Sequence, residues 1–183
     1  MKRFLSFDLG YKNLAFCVVD HTDETFLLRH WRVDDIVEGH TKAKKPTIEI
    51  LVKCLVAHLE NIEPLVEGVT DVLIEIQPVG FHRRSNTPMK VLSHVIQGYY
   101  CSRGKGLNVA FVSPKQKLKL PGCPDTKALK TKERYAAHKK FAVEKCRELL
   151  TAGGQEDMIA LFAGSKKKDD LADCFLQAYT KTL

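Results

Sequence analysis

The chain has 183 residues and a hydrophobic content of 44%, enough for the core of one domain but too short for two large lobes. Its formal net charge of +7 indicates a polyanionic partner, although a basic balance alone is a weak signal. No apolar run is long enough to span a membrane, and no signal or transit peptide is visible. We therefore expect a soluble intracellular protein that does not act at a membrane.

The amino-terminal part of the chain has the pattern of three consecutive strands. We predict strands over residues 3–9, 14–19 and 25–33, because each is a short run rich in apolar side chains. Residues 10–13 begin with glycine and predict a hairpin turn between the first two strands. Short connections of this kind are typical of an antiparallel meander.

A helix and a buried strand follow. Apolar residues recur at spacings of three and four, the pattern of an amphipathic helix, at Ile48, Leu51, Leu55, Leu59 and Ile62. Thr47 is the predicted N-cap of this helix, and Pro64 ends it. Residues 71–76 are a short apolar run that predicts a buried strand.

The second half of the chain alternates helices with one further strand. The predicted elements are a helix over 87–101, a strand over 107–112, a loop over 113–131, a basic helix over 132–150 and a last helix over 169–180. The order β-β-β-α-β-α-β-α-α combines a meander with right-handed β-α-β crossovers. We therefore predict a single α/β domain over residues 1–183, with a mixed five-stranded sheet flanked by helices.

One segment supplies the whole excess of positive charge. Residues 113–147 contain eleven Lys and Arg against three Asp and Glu, a net charge of +8, whereas the rest of the chain has a net charge of −1. On charge alone, a groove for a phosphate backbone and a solvated basic helix face are equally good interpretations.

Two acids interrupt strands that are otherwise apolar. Asp8 stands between Phe7 and Leu9, and Glu75 stands between Ile74 and Ile76. An ionised carboxylate in a central strand is costly unless a partner compensates it, so such residues tend to mark functional sites. For either acid alone, a position at a solvent-exposed strand end would be the simpler interpretation.

The last predicted helix carries two further acids on one face. Asp170 and Asp173 are three residues apart, and Gln177 lies one turn further on. Carboxylates at this spacing repel each other, and a divalent cation would turn the repulsion into a binding site. Asp169 has a simpler interpretation as the N-cap of the helix.

Together the four acids predict a metal-dependent phosphodiesterase site. If the two strands are neighbours and the last helix packs across them, Asp8, Glu75, Asp170 and Asp173 converge. Carboxylate oxygens suit Mg²⁺ or Mn²⁺, and two such ions activate a water and stabilise the leaving oxygen of an in-line cleavage. The seven histidines lack ligand-like spacing and the six cysteines form no C-x-x-C pair, so no zinc site is expected. We also expect no small-molecule cofactor.

These residues resemble the RuvC-type Holliday junction resolvases, in particular the branch found in poxviruses, related large DNA viruses and fungal mitochondria. The matching pieces are FDLGYKN at 7–13, IEIQP at 74–78, SPK at 113–115, KKFAV at 139–143 and KDDLAD at 168–173. They span nearly the whole chain in the expected order. The last piece is the most specific, since actin-like ATPases and sugar kinases share the D-x-G turn of the first.

The resemblance implies an RNase H-like fold and a nuclease that cuts four-way DNA junctions. In a nuclease of this kind, Asp8 would bridge two metal ions, Glu75 and Asp173 would each complete one metal site, and Asp170 would support them. It also implies a homodimer that makes paired symmetric nicks, with the helix over 87–101 as the interface; a fully buried helix is the alternative. The lack of a transit peptide fits the viral members better than the mitochondrial ones.

The resemblance further implies that basic residues lie near the scissile phosphate. Lys115 and Lys140 are the candidates in the basic segment, and Arg83 and Arg84 would hold the junction. For each of them, a generic phosphate contact or a solubilising role is an equally good interpretation.

Three other functions compete with a junction resolvase. Another nuclease of the same fold, acting on flaps, mismatches or RNA/DNA hybrids, would use the same chemistry and differ only in the shape of its substrate. A non-catalytic nucleic-acid-binding module would leave the acids in the strands without a role. An actin-like ATPase duplicates the domain and needs far more than 183 residues, which excludes it.

Overall fold

A computed structural model describes residues 1–22, 25–39, 45–77, 86–103 and 106–182. The strands within these ranges are β1 (Lys2–Asp8), β2 (Leu14–His21), β3 (Phe26–Asp34), β4 (Asp71–Glu75) and β5 (Asn108–Val112). The α-helices are α1 (Ile48–Ile62), α2 (Thr87–Arg103), α3 (Thr131–Ala152), α4 (Glu156–Gly164) and α5 (Lys168–Tyr179), and two short 3₁₀ helices cover Glu63–Leu65 and Gln116–Lys119. In this part of the chain no helix has the length and apolar character needed to cross a membrane.

The strands form one mixed sheet in the order β3-β2-β1-β4-β5. β1 pairs with β2 and β2 with β3 in antiparallel fashion, whereas β1 pairs with β4 and β4 with β5 in parallel. The predicted meander and crossovers are therefore confirmed. The turn between β1 and β2 is closed by a hydrogen bond from the Asn13 amide to the Gly10 carbonyl, at 3.1 Å. A Cβ at Gly10 would lie 2.9 Å from the Asn13 carbonyl oxygen, so this tight turn requires glycine.

The sheet separates two layers of packed side chains. Alternate residues of β1 point to opposite faces, so Leu5 and Phe7 pack in the cluster that contains α1 and α2. Phe4 packs in the other cluster, with α3, α4 and α5. Each helical layer thus covers one face of the central strands.

Three long-range hydrogen bonds hold α5 against the sheet. The Gln177 amide nitrogen donates to the Ser6 hydroxyl at 3.1 Å and to the Phe7 carbonyl at 3.2 Å. The Trp31 indole donates to the Leu171 carbonyl at 3.0 Å. These buried contacts fix both the position and the rotation of α5 over β1, the strand that ends at Asp8.

Most predicted elements are present, with ends shifted by at most two residues. Thr47 caps α1 as predicted, since its hydroxyl accepts a hydrogen bond from the Ile50 amide. The predicted loop over 113–131 contains the short 3₁₀ helix Gln116–Lys119. Pro78, Arg83 and Arg84, which belong to predicted functional segments, lie outside the described residues.

Two expectations about the carboxyl-terminal region were wrong. The sequence pattern missed α4, a nine-residue helix that begins two residues after Gly154. Asp169 is not an N-cap: α5 begins at Lys168, and the Asp169 carboxylate instead accepts a hydrogen bond from the Lys139 ammonium of α3. A partner 30 residues away in sequence therefore replaces the local capping contact.

The packing of α4 can be tested with a pair of neighbouring substitutions. Phe162 is 1% exposed and stacks on Trp31 with ring centroids 5.0 Å apart, whereas Leu161 is 43% exposed. We expect Phe162→Ala to lower the free energy of unfolding by about 3–5 kcal/mol because it leaves a cavity beside the indole. Leu161→Ala should change it by less than about 1 kcal/mol. Equal losses in urea denaturation would show that α4 does not pack as described.

Candidate active site

Asp8 and Glu75 are the last residues of two neighbouring parallel strands. Phe7 of β1 is in register with Ile74 of β4, so Asp8 and Glu75 follow side by side at the same edge of the sheet. Because side chains alternate along a strand, Asp8 lies on the same face as Ser6, two residues earlier. Ser6 contacts Gln177, so this is the face covered by α5.

Helix α5 brings two more acids to this edge. Asp173 and Asp170 lie one and two turns before Gln177, the residue that anchors the helix on β1. Asp8, Glu75, Asp170 and Asp173 all line one cleft of about 890 Å³. The structure thus brings together the four acids that the sequence singled out; we call them the acidic quartet.

The acidic quartet is electrostatically strained. Burial, together with the charges of Glu75 and Asp173, raises the pKa of Asp8 well above its usual value. Burial is also the main reason that the pKa of Glu75 is raised to about 7, with a further contribution from Asp173 and an opposing one from Lys117. Burial and the neighbouring Asp169 raise the pKa of Asp170. Burial and mutual repulsion therefore favour the protonated forms of these carboxyl groups as long as no cation compensates their charge.

The donor set suits a hard divalent cation, but the ligands are not arranged around one. Among the residues that the structure describes, no three His, Cys, Asp or Glu side chains form a group that could hold an ion. The Asp173 carboxylate instead contacts the Lys117 ammonium at 2.5 Å. Buried carboxylates that repel each other provide the oxygen ligands and negative charge that Mg²⁺ and Mn²⁺ prefer. The residues therefore fit such ions by chemistry, with Asp173 engaged by a lysine.

Only one of the two lysines chosen from the sequence, Lys115, lies at the cleft. Lys115 lines the cleft and is exposed. Lys140 does not line it: its side chain is 77% exposed and its ammonium lies 3.8 Å from Glu144, one turn along α3. The neighbouring Lys139 lines the cleft instead and contacts both Asp169 and the ring of Tyr135.

Lys117 is the cleft residue that sequence reasoning missed. It lies on the short 3₁₀ helix within the predicted loop, and its side chain is only 14% exposed. Leu120 next to this basic run was the available signal, because a buried apolar residue packs the neighbouring turn against the core. Which lysine of a basic run faces an acid depends on the turn's orientation, and charge content does not reveal that.

Asp169 stands outside the acidic quartet although it is adjacent in sequence. Burial alone would raise the pKa of Asp169, but the hydrogen bond and charge of Lys139 outweigh it and lower the pKa. This ion pair joins the first turn of α5 to α3, next to the cleft. Asp169 therefore serves as an ionised contact between two helices.

Comparisons with solved structures identify the fold. No protein-family model matches the chain, and no curated protein matches its sequence. The crystal structure of the yeast mitochondrial Holliday junction resolvase Ydc2 is similar over 99% of this chain and 78% of that one, with a TM-score of 0.68 and 17% identity. The fowlpox virus resolvase, solved with its substrate Holliday junction DNA, is similar over 98% of this chain and 97% of that one, with a TM-score of 0.63 and 15% identity.

A bacterial structure extends the same similarity. Thermus thermophilus RuvC, solved in complex with a Holliday junction substrate, is similar over 98% of this chain and 92% of its own, with a TM-score of 0.57 and 20% identity. The predicted resemblance and the predicted α/β fold are thus confirmed. The chain has the RNase H-like fold of the RuvC-type Holliday junction resolvases.

Proposed function

We propose that the chain is a structure-specific endonuclease that resolves four-way DNA junctions by hydrolysing phosphodiester bonds. The observation that carries the proposal is the convergence of the acidic quartet, from β1, β4 and α5, in one cleft beside basic residues. The similar solved structures are junction resolvases, and two of them contain junction DNA, which supports this substrate.

The acidic quartet would hold divalent metal ions, Mg²⁺ or Mn²⁺. Asp8 would help to hold both ions, Glu75 and Asp173 would each help to hold one, and Asp170 would support them. When bound, the ions supply Lewis acid chemistry for the attacking water and for the leaving oxygen. The strand ends and α5 hold the carboxylates in place, because Gln177 anchors the helix on β1.

Basic residues at the cleft would bind the phosphate backbone. Arg134 and Lys139 of α3 line the cleft, as does Lys115 on the segment after β5. They belong to residues 113–147, which carry the net charge of +8. Neutralising several phosphates at once gives strong affinity with little sequence preference, which suits a protein that recognises the shape of branched DNA.

A homodimer would provide the paired nicks. Met89, Leu92 and Ile96 of α2 pack on the sheet, whereas Val91 and Val95 are half-buried and line a shallow groove on the outer side of the helix. α2 is thus not fully buried, and its outer apolar side supports the interface proposed for a second copy. Two copies related by a twofold axis would present two clefts to opposite strands of one junction.

The proposed substrate can be tested with a panel of synthetic DNAs. We expect symmetric nicks near the centre of an immobile four-way junction in the presence of Mg²⁺ or Mn²⁺. A flap, a mismatched duplex and an RNA/DNA hybrid should be cut more slowly. Strand mapping on denaturing gels provides the measurement. Faster cutting of the flap, mismatch or hybrid would assign the same chemistry to another substrate.

The role of the acids can be tested by removing single charges. Asp8→Asn and Asp173→Asn should each slow junction cleavage by more than about 100-fold, because even outer-shell partners of metal ligands contribute about 10–100-fold. Junction binding should persist or strengthen, since a negative charge facing the phosphates is lost. Asp157→Asn on α4, which removes an exposed acid outside the cleft, is the matched control. Wild-type rates in Asp8→Asn or Asp173→Asn would contradict the metal assignment.

The raised pKa of Glu75 predicts pH-dependent metal affinity. Below pH 7 this carboxyl is mostly protonated, so an ion must displace the proton, whereas above pH 7 it need not. We expect Mn²⁺ affinity, measured by calorimetry, to rise by up to about tenfold per pH unit below pH 7 for each proton released, and to rise less steeply once Glu75 is ionised. Glu75→Gln should bind more weakly and show a shallower dependence. An equally steep dependence in that variant would assign the proton to another group.

The dimer interface can be tested by placing a charge on α2. Val95→Glu should shift the mass measured by analytical ultracentrifugation from dimer to monomer, because the carboxylate would be desolvated at the interface. Ala160→Glu adds the same charge on the exposed side of α4 and should leave the dimer intact. A dimer that persists in Val95→Glu would exclude this side of α2 as the interface.

A further inference from the structure

Lys117 is a largely buried cation within the acidic quartet. Its ammonium contacts the Asp173 carboxylate at 2.5 Å, and the two side chains are 14% and 22% exposed. Its charge also stabilises the ionised forms of Asp8 and Glu75. Lys117 therefore supplies positive charge to three members of the quartet.

The other lysines near the cleft make different contacts. Lys139 pairs with Asp169, outside the quartet, and Lys167 approaches Asp170 at 3.9 Å with a side chain that is 48% exposed. Lys115 lines the cleft from an exposed position. Among the described residues, Lys117 makes the closest contact with a quartet acid. Its side chain is also less exposed than those of Lys139 and Lys167.

We propose that Lys117 is an internal counterion that couples metal binding to DNA binding. Without DNA, its ammonium pairs with Asp173 and opposes the entry of a divalent cation. When a DNA phosphate enters the cleft, the ammonium pairs with the phosphate and releases Asp173 for a metal ion. This inference rests on the proposed function, because it assigns Asp173 to the ions and a phosphodiester backbone to the cleft.

The physical basis is competition between like charges. An ammonium and a divalent cation repel each other, so both cannot contact the same carboxylate closely at low energetic cost. Lysine suits an exchange of partners, because its charge sits on a flexible four-carbon chain with rotatable donors. Its phosphate partner would enter through the cleft that Lys115 and Arg134 also line. Lys117 would therefore pair with the Asp173 carboxylate when no metal ion is bound, and with a DNA phosphate when DNA is present.

Coupling of this kind is reciprocal: if DNA raises the affinity for metal by some factor, metal raises the affinity for DNA by the same factor. Part of the factor comes from ions contacting phosphate oxygens, and this part does not need Lys117. The remainder depends on the exchange and disappears with the ammonium. Removing Lys117 should thus tighten metal binding to the free protein and reduce the gain from DNA.

The first measurement is Mn²⁺ affinity without DNA, by isothermal titration calorimetry. Lys117→Met keeps the length and apolar stem of the side chain but removes the charge, and it should bind Mn²⁺ about tenfold more tightly than the wild type. Lys119→Met makes the same change at an exposed position of the same 3₁₀ helix and should bind within about twofold of the wild type. An unchanged or weaker affinity in Lys117→Met overturns the inference.

The second measurement adds a four-way junction with phosphorothioate linkages throughout its crossover, which slow cleavage, and gels verify that it stays intact. The junction should raise Mn²⁺ affinity at least about fivefold in the wild type and by a smaller factor in Lys117→Met. Equal factors would overturn the proposed exchange. Lys117→Gln, which keeps a polar side chain, should repeat both results and replaces Lys117→Met if that variant does not fold.

The outcomes separate this inference from the proposed function. A wild-type protein that cuts junctions, with Lys117 variants whose Mn²⁺ affinity is unchanged, would overturn the role of Lys117 alone. A wild-type protein that binds no Mn²⁺ with or without junction DNA, and cuts no branched substrate, would overturn both. Tighter Mn²⁺ binding in Lys117→Met, together with a smaller gain from DNA, supports the exchange.

Discussion

The site depends on the contact between Gln177 and strand β1. Its buried amide donates to the Ser6 hydroxyl and the Phe7 carbonyl, which sets the rotation of α5 immediately above the strand that ends at Asp8. One helical turn then places Asp173 over the ends of β1 and β4. This contact therefore aligns the acids of the helix with those of the strands.

Gathering four carboxylates in a half-enclosed cleft has an electrostatic cost, which the protein offsets in several ways. The pKa of Asp8 and that of Glu75 are raised, mainly by burial, which favours the neutral form of both groups. Asp173 is paired with Lys117, whereas Asp169 is paired with Lys139 outside the quartet. A metal-binding site of this type is therefore compatible with a folded metal-free protein, because protons and lysines reduce the charge that ions would otherwise neutralise.

The two faces of the sheet divide the proposed tasks. The face covered by α3, α4 and α5 carries the acids and the basic residues of the cleft, while the face covered by α1 and α2 carries apolar packing and the proposed dimer interface. The central strands connect the two, since Phe7 packs under α2 while Asp8, the next residue, faces α5. A second copy bound at α2 would thus be linked through one rigid sheet to the position of the acids.

The sequence by itself determined the order of most elements and the identity of the acids. Alternating and helical hydrophobic patterns are local, and an acid within an apolar strand is visible without any knowledge of the fold, as at Asp8 and Glu75. Only the tertiary structure decided which cations lie at the cleft: Lys117 and Lys139 line it, whereas Lys140 does not. The sequence pattern also missed the short helix α4 and the pairing of Asp169 with Lys139, because both depend on contacts with residues distant in sequence. Charge content predicts a basic surface, but the direction of each side chain is set by packing between elements.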